Sequence, residues 1–284
     1  MTDPAQTATM WVMLQGVDVS SYQGPPASWK GQAGNISWAG VKLTELSAQG
    51  PYVNPLAAAD WSWLKQNGKG RVAYLFGHPS QPVAASVALF AGELARIGLD
   101  DGDGICLDHE VTDGMGPGSV SAWGRDVLSA LRSMFGRPPI TYTFLSFAGN
   151  CAGMGSSLLW IADPSSPAGK PRVPAPWSTW ALHQYGQQGM DRDVARWASL
   201  SEMRTAMGRP QAAAVYGVTA DGKTALADLT AAHGCSPMHS LKLTLDANGG
   251  KFPDGLYAWG NTVLAAASSP LPQGTRITVP TKPA

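Results

Sequence analysis

Short apolar runs separated by stretches of helical period constrain this chain more than any other feature. Candidate buried strands lie at residues 16–20, 41–44, 72–76, 104–107, 140–144, 158–162 and 179–184. Helical patterns stand between several of them, the order expected of a parallel β/α architecture in which crossover helices cover the sheet. After Pro82, the residues Val83, Val87, Phe90, Leu94 and Ile97 form one apolar stripe, and Gly98 is placed to end that helix. Val120, Trp123, Val127, Leu131 and Met134 form a second stripe, with Ser119 as N-cap and Gly136 just past the last turn. Beyond Phe147 the helical pattern fades into a segment rich in Gly, Pro and Ser, so loops are expected to join the later strands. Helical pattern returns over residues 194–207. The expectation is an incomplete α/β barrel over residues 1–208, a linker at 209–214 and a small unit at 215–284.

Composition narrows the partners. The 20 Lys+Arg cancel the 20 Asp+Glu, which leaves no long-range attraction to phosphate backbones or anionic lipid. Nucleic acid and membrane insertion are therefore not expected. Of the 11 Trp residues, all but Trp259 precede Gly208, and such aromatic surface suits neutral, ring-shaped ligands such as sugars. Cys106, Cys151 and Cys235 are too scattered for a disulfide framework or a zinc site. Asp101-Gly-Asp-Gly104 has a calcium-loop flavour without the remaining ligands, so no metal or cofactor is expected. The apolar stretch from Met10 to Leu14 is too short for a signal peptide, which predicts synthesis in the cytoplasm, as a monomer, with release by other means.

In a parallel barrel the loops at the C-terminal ends of the strands converge on one open face, so strand ends are where chemistry is sought. Carboxylates occupy several of them: Asp18, Glu45, Asp108 with Glu110, and Asp191 with Asp193. Asp108 and Glu110 stand two apart, on one face of an extended chain, and two like charges held that close disfavour double ionisation. One of them should keep a proton to higher pH, as a general acid requires. A solvated turn running into a strand remains the alternative on pattern alone. His109 alternates with the pair and should face the other way, and Cys106 reads as a small buried hydrophobe. Lys42 and Glu45 read equally as a structural ion pair or as substrate contacts.

The ordered motifs Asp18-Val-Ser-Ser-Tyr-Gln-Gly24, Val41-Lys-Leu-Thr-Glu45, Ala73-Tyr-Leu-Phe76, Leu107-Asp-His-Glu110, Tyr142-Thr143, Leu159-Trp-Ile-Ala162 and Trp180-Ala-Leu-His-Gln-Tyr185, followed by Asp191-Arg-Asp193, resemble the family 25 glycoside hydrolases. The resemblance implies an irregular TIM-like (β/α)5β3 barrel that hydrolyses the β-1,4 bond between N-acetylmuramic acid and N-acetylglucosamine in peptidoglycan. It puts Glu110 at the general acid, Asp108 at its partner carboxylate, and Asp18 and Asp191 at two further acidic positions. Tyr74, Tyr142, Trp160, Gln184, Tyr185 and Glu45 become substrate-binding candidates. Leu75 stands where the family often has His, Asp193 where Asn is frequent, and His183 where an aromatic residue is usual. The family's phage members suggest an endolysin.

Two competing readings remain in the sequence. The segment Asp103-Gly-Ile-Cys-Leu-Asp-His-Glu110 nearly matches the acidic strand of family 18 chitinases, with Cys106 at a position that family fills with Asp. The other is a glycan-binding protein that kept the barrel and lost turnover. Finally, Val215-Tyr-Gly-Val-Thr-Ala-Asp-Gly-Lys-Thr224, the following residues 226–236 and Leu271-Pro-Gln-Gly-Thr-Arg-Ile-Thr-Val-Pro280 resemble a LysM glycan-binding repeat, which implies a small α+β domain. Another small module is the alternative there.

Overall fold

The computed structural model describes residues 13–208, the strand residues 213–219 and 276–281, and Lys223. The chain divides into two units, Met1–Arg209 and Pro210–Ala284. In the first, β1 (Leu14–Val19), β2 (Trp38–Ser47), β4 (Gly70–Phe76), β5 (Gly104–Asp108), β6 (Ile140–Phe144), β7 (Leu158–Ala162), β8 (Leu182–Gly186) and β9 (Arg192–Ala195) form a ring. The order is β1-β9-β8-β7-β6-β5-β4-β2, and β2 pairs back onto β1 to close it. Every pairing is parallel except those of β9, which runs antiparallel to both neighbours. The short β3 (Gly50–Val53) hairpins onto β2 outside the ring.

Strand alternation sorts the side chains into two cores. Val72 and Tyr74 of β4, Cys106 of β5, Ile140 of β6, Trp160 of β7 and Leu182 of β8 point into the barrel. Their neighbours Ala73, Leu75, Ile105, Leu107 and Ile161 point outwards, onto α2 (Ala57–Gln66), α3 (Val83–Ile97) and α4 (Pro117–Phe135). Full burial of side chains such as Phe90 and Leu94 on α3 contributes about 1.5–3 kcal/mol each. Within the barrel, Gly40 makes room for an indole. A Cβ there would lie 2.5 Å from the Trp160 ring, so only a residue without one lets Trp160 cross the interior.

The structure shifts several expected boundaries. Gly98 ends α3 at φ 84°, as its placement suggested. Helix α4 starts three residues early, with Gly116 at the N-cap and Pro117 in its first turn, so Ser119 is already helical. Met134 is 50% exposed and lies off the buried stripe, whereas Gly136 takes the expected left-handed conformation. The short α1 (Pro26–Ala33), α2, β3 and β9 were not anticipated. Residues 192–195, partly inside the expected 194–207 helix, are strand because Asp193 and Ala195 close the ring; α5 is confined to Leu200–Met207, with Ser199 as its N-cap. Met203 and Met207 of α5 plug the base of the barrel. The crossover after β6 holds only a 3-10 turn, Leu145–Asn150.

In the second unit β10 (Ala213–Thr219) pairs antiparallel with β11 (Arg276–Thr281). Strand β10 takes in the last two residues of the expected linker. Residues 226–236, where the LysM resemblance implies the first helix of the repeat, lie outside the described residues.

Candidate active site

The inward faces of the strands deliver their last side chains to a cavity of about 300 Å³ at the C-terminal end of the barrel. Asp18 comes from β1, Lys42 from β2, Tyr74 and Phe76 from β4, Asp108 from β5, Tyr142 from β6, Trp160 from β7 and Gln184 from β8. Loop residues Ser20, Glu110, Gln187 and Asp191 complete the lining. Register explains the grouping, since Asp108 pairs with both Phe76 and Tyr142, and Tyr142 pairs with Trp160.

Hydrogen bonds fix the far wall. Gln184 Nε2 donates to Asp18 Oδ2 at 2.8 Å, and Tyr142 Oη donates to Gln184 Oε1 at 3.1 Å. Beneath them Trp160 Nε1 donates to Asp193 Oδ1 at 2.8 Å. Asp193 is fully buried, and its Oδ2 has no donor from an N–H or hydroxyl group. Burial, and then the charge of Asp18, hold the Asp193 carboxyl well above the usual carboxylate range.

The open floor of the site is equally hostile to charge. Burial, reinforced by Asp191 and Glu110, pushes Asp18 up to about 7 against the Gln184 and Asp193 hydrogen bonds. Asp108 is raised well above its ordinary value by burial and then by Glu110, and its Oδ1 is buried without a partner. Burial also raises Glu110 and Asp191, and the Lys42 ammonium opposes the rise at Glu110. Lys42 is the one basic residue lining the cavity among the described residues. Burial thus holds the proton on both Asp108 and Glu110 to higher pH than on an ordinary carboxyl, and the charge of Glu110 adds to the effect at Asp108. Spacing left open which of the two keeps a proton, and the resemblance put the general acid at Glu110; burial raises both, with Glu110 the less enclosed of the two.

Around the rim, Lys42 Nζ sits 2.6 Å from Glu45 Oε2 and 4.6 Å from the Phe76 ring centre. Glu45 also meets His78, which in turn meets Asp113 in the loop after β5. A sequence model of one family, Glycosyl hydrolases family 25, matches residues 17–194, more than half of the chain. The chain belongs to family 25. It is therefore a glycoside hydrolase, and its family barrel is the unit that holds the acidic cleft.

Solved family 25 folds superpose on this barrel. The bacterial lysozyme from Streptomyces coelicolor is 24% identical, covers 68% of this chain and 96% of its own, and gives a TM-score of 0.58. A muramidase from Acremonium alcalophilum is 22% identical over 68% of this chain and 98% of its own, with a TM-score of 0.58. The family GH25 lysozyme from Aspergillus fumigatus is 21% identical over 69% of this chain and 99% of its own, at 0.57. Curated protein sequences gave no significant match.

Several sequence candidates in this family 25 barrel sit differently from one another. Asp18, Asp108, Glu110, Asp191, Tyr74, Tyr142, Trp160 and Gln184 all line the cavity. Trp160 is only 1% exposed, a floor and not an open platform, and Tyr74 is buried with its hydroxyl 3.5 Å from the Val19 carbonyl. Tyr185 faces away from the cavity, its hydroxyl on Gln15 Oε1 at 3.2 Å, because it alternates with Gln184. Glu45 stands behind Lys42. Three lining residues went unnamed in the sequence reading. Ser20 and Phe76 could have been found by counting two residues on from Asp18 and Tyr74; Gln187 follows a strand irregularity at Gln184/Gly186 that no pattern announced.

His109 does face outward, stacked on Trp123 at 6.1 Å, and burial pushes its pKa down to about 4. His183 is likewise outside the barrel, between the Gly169 amide and the Asp163 carbonyl. In the calcium-like segment, Asp103 holds the Arg71 guanidinium through two bonds of 2.8 and 2.6 Å, with Asp100 beside it. A guanidinium occupies the place of a cation there.

Proposed function

We propose that this glycoside hydrolase is an N-acetylmuramidase that cuts the β-1,4 bond between N-acetylmuramic acid and N-acetylglucosamine in peptidoglycan. The carrying observation is the Asp108–Glu110 pair at the end of β5, buried beside Asp18 and Asp191 in one cleft. The solved neighbours named lysozyme and muramidase support the same substrate. A carboxyl that burial keeps protonated to higher pH than usual supplies the acid needed by the leaving oxygen.

Glu110, the less buried partner, gives its proton to the glycosidic oxygen as that bond to the anomeric carbon breaks. Asp108 is buried with one oxygen unpartnered, which favours attack by the substrate's own acetamido oxygen, with Asp108 orienting that group. Ionised Glu110 then takes a proton from water as the water opens the cyclic intermediate. Asp191, and Asp18 in its ionised form, offer negative charge to the positive transition state.

Reducing-end release from purified peptidoglycan, with mass spectrometry of the new ends, tests the reading. New N-acetylmuramic acid ends from the wild type, lost in Glu110→Gln, are expected. Chitin oligomers cut in preference to wall would favour the family 18 reading, and no release from several walls the non-catalytic one.

The proposal extends to the second unit as a LysM-like wall-binding module, supported by the motif resemblance at residues 215–224 and 271–280. Retention of the full-length Glu110→Gln chain on sacculi, reversed by chitotetraose, tests it. An endolysin role, with a monomeric protein made in the cytoplasm and released through a membrane lesion, is supported by the resemblance to phage members of the family. Lysis on expression only when a lesion-forming protein is supplied is the expected outcome.

A further inference from the structure

A second cavity, of about 400 Å³, opens at the opposite end of the barrel from the catalytic cleft. It lies where the chain enters β7 and β8, beside α5, and its lining includes Trp177, Trp180, Trp197, Arg196 and Glu202. The catalytic cavity, by contrast, has Trp160 as its sole lining tryptophan, and that ring is buried. Tryptophan is therefore gathered at the base, with Trp180 and Trp197 half-buried there, more than at the cleft.

Hydrogen-bond accounting distinguishes two of the three indoles that line this cavity. Trp29, Trp38, Trp61, Trp123, Trp160 and Trp177 each give the indole N–H to an acceptor. The half-buried Trp180 and Trp197 have no acceptor among the described residues, as is also true of the half-buried Trp63 on α2. Arg196 is exposed and makes no ion pair among the described residues; its Nη1 is held by Thr179 Oγ1 and the Trp180 carbonyl, which leaves Nε and Nη2 open. Glu202 uses Oε2 to accept from the Ala198 amide at 3.2 Å, and Oε1 remains available.

Charge decides the ligand class. One guanidinium and one carboxylate cancel, so a phosphate or other polyanion gains little, whereas a neutral polyhydroxylated ring matches every feature. Its C–H face suits aromatic surface, its hydroxyls can donate to Glu202, and its oxygens can accept from Arg196 and the two indoles. No second carboxylate stands opposite Glu202 in the lining, so the cavity lacks the pair that glycoside hydrolysis uses.

We propose that the cavity at the base of the barrel, between the entries to β7 and β8 and α5, is a non-catalytic site for a saccharide of the glycan polymer cut in the cleft. The identity of that polymer rests on the muramidase reading; the saccharide chemistry of the cavity does not. Holding one segment of an insoluble wall while the cleft works on another raises the local substrate concentration. With an effective concentration and a dissociation constant both in the millimolar range, the gain on sacculi is about 2–10-fold.

The test titrates chitotetraose into the full-length Glu110→Gln chain and follows the indole N–H resonances of Trp180 and Trp197 by NMR, assigned with Trp180→Phe and Trp197→Phe. Both resonances should shift and saturate, with weaker binding in Arg196→Gln. In the active chain, Trp197→Ala and Arg196→Gln should lower the rate on sacculi about 2–10-fold and leave the rate on a soluble muropeptide tetrasaccharide unchanged. Resonances unmoved at about 10 mM sugar, a response to inorganic phosphate instead, or an unchanged sacculus rate in both variants each overturns the proposal. A wild type that releases no product while both resonances still shift would overturn the muramidase reading and leave the saccharide site standing.

Discussion

His78 Nδ1 lies 2.9 Å from Asp113 Oδ1, and the opposite ring nitrogen lies 2.9 Å from Glu45 Oε1. Carboxylates only accept, so both bonds form together only when both ring nitrogens carry hydrogen and His78 is an imidazolium. Asp113, at φ 50° an unusual conformation for a residue with a side chain, is also held by the Ser80 amide and hydroxyl. The loop that follows Glu110 is thereby tied through His78 to Glu45, which holds Lys42.

The first prediction concerns that bridge. Burial lowers the His78 pKa, but its hydrogen bonds and charge pairing with Asp113 and Glu45 raise it overall, above 6.5. A group with a raised folded pKa contributes stability that is full below its unfolded pKa of about 6.5 and is lost as pH rises through the folded value. The Asp113 and Glu45 pKa values are lowered, so their contribution fades only as pH falls through the acid range. His78→Gln should cost about 1 kcal/mol near pH 6 and less at alkaline pH. Urea melts at the two pH values check this; equal losses at both would refute the charged bridge.

Carboxyls in the cleft act in the opposite sense to ordinary surface acids. With Asp18 pushed up to about 7, the folded protein binds more protons than the unfolded chain between about pH 4 and 7, so this residue costs stability as pH rises through that window. Asp18→Asn is expected to raise the melting temperature at pH 7.5 and to lower wall hydrolysis at least about tenfold. Calorimetry beside the reducing-end assay decides it, and a variant that is less stable at pH 7.5 than at pH 4 relative to wild type contradicts it.

Asp193 offers a sharper substitution. If its buried carboxyl is neutral, an amide reproduces it, accepting from Trp160 and donating to Asp18. Asp193→Asn should keep kcat within about threefold, whereas Asp193→Leu strands the Trp160 N–H and Asp18 and should cost about 1–3 kcal/mol of stability. Comparable damage in both variants would argue for an ionised Asp193.

Gly40→Ala places a methyl group against the Trp160 ring and should destabilise the barrel by about 1–3 kcal/mol. Because that ring also holds Asp193, kcat should fall with stability. An unchanged melt would show that the indole can move aside freely.

Much of this was written in local pattern. Alternation assigns Tyr74, Cys106, Asp108 and Trp160 to one face of their strands before any strand order is known, since successive side chains must point to opposite sides. The motif series around Asp18, Asp108 and Gln184 carried the family. By contrast, β9 went unread where it runs into a helical pattern, because a four-residue strand leaves too short a period to read.

What the sequence by itself determined is which residues face inward and which acids end their strands, both consequences of backbone geometry over a few neighbouring residues. Only the tertiary structure decided how those acids hold protons. Gln184 meets Asp18 across 166 residues of chain, His78 reaches two carboxylates from separate elements, and the base cavity gathers Trp177, Trp180 and Trp197 around α5. Protonation and binding depend on burial and on charges brought together by ring closure, and no local spacing records which distant strands become neighbours.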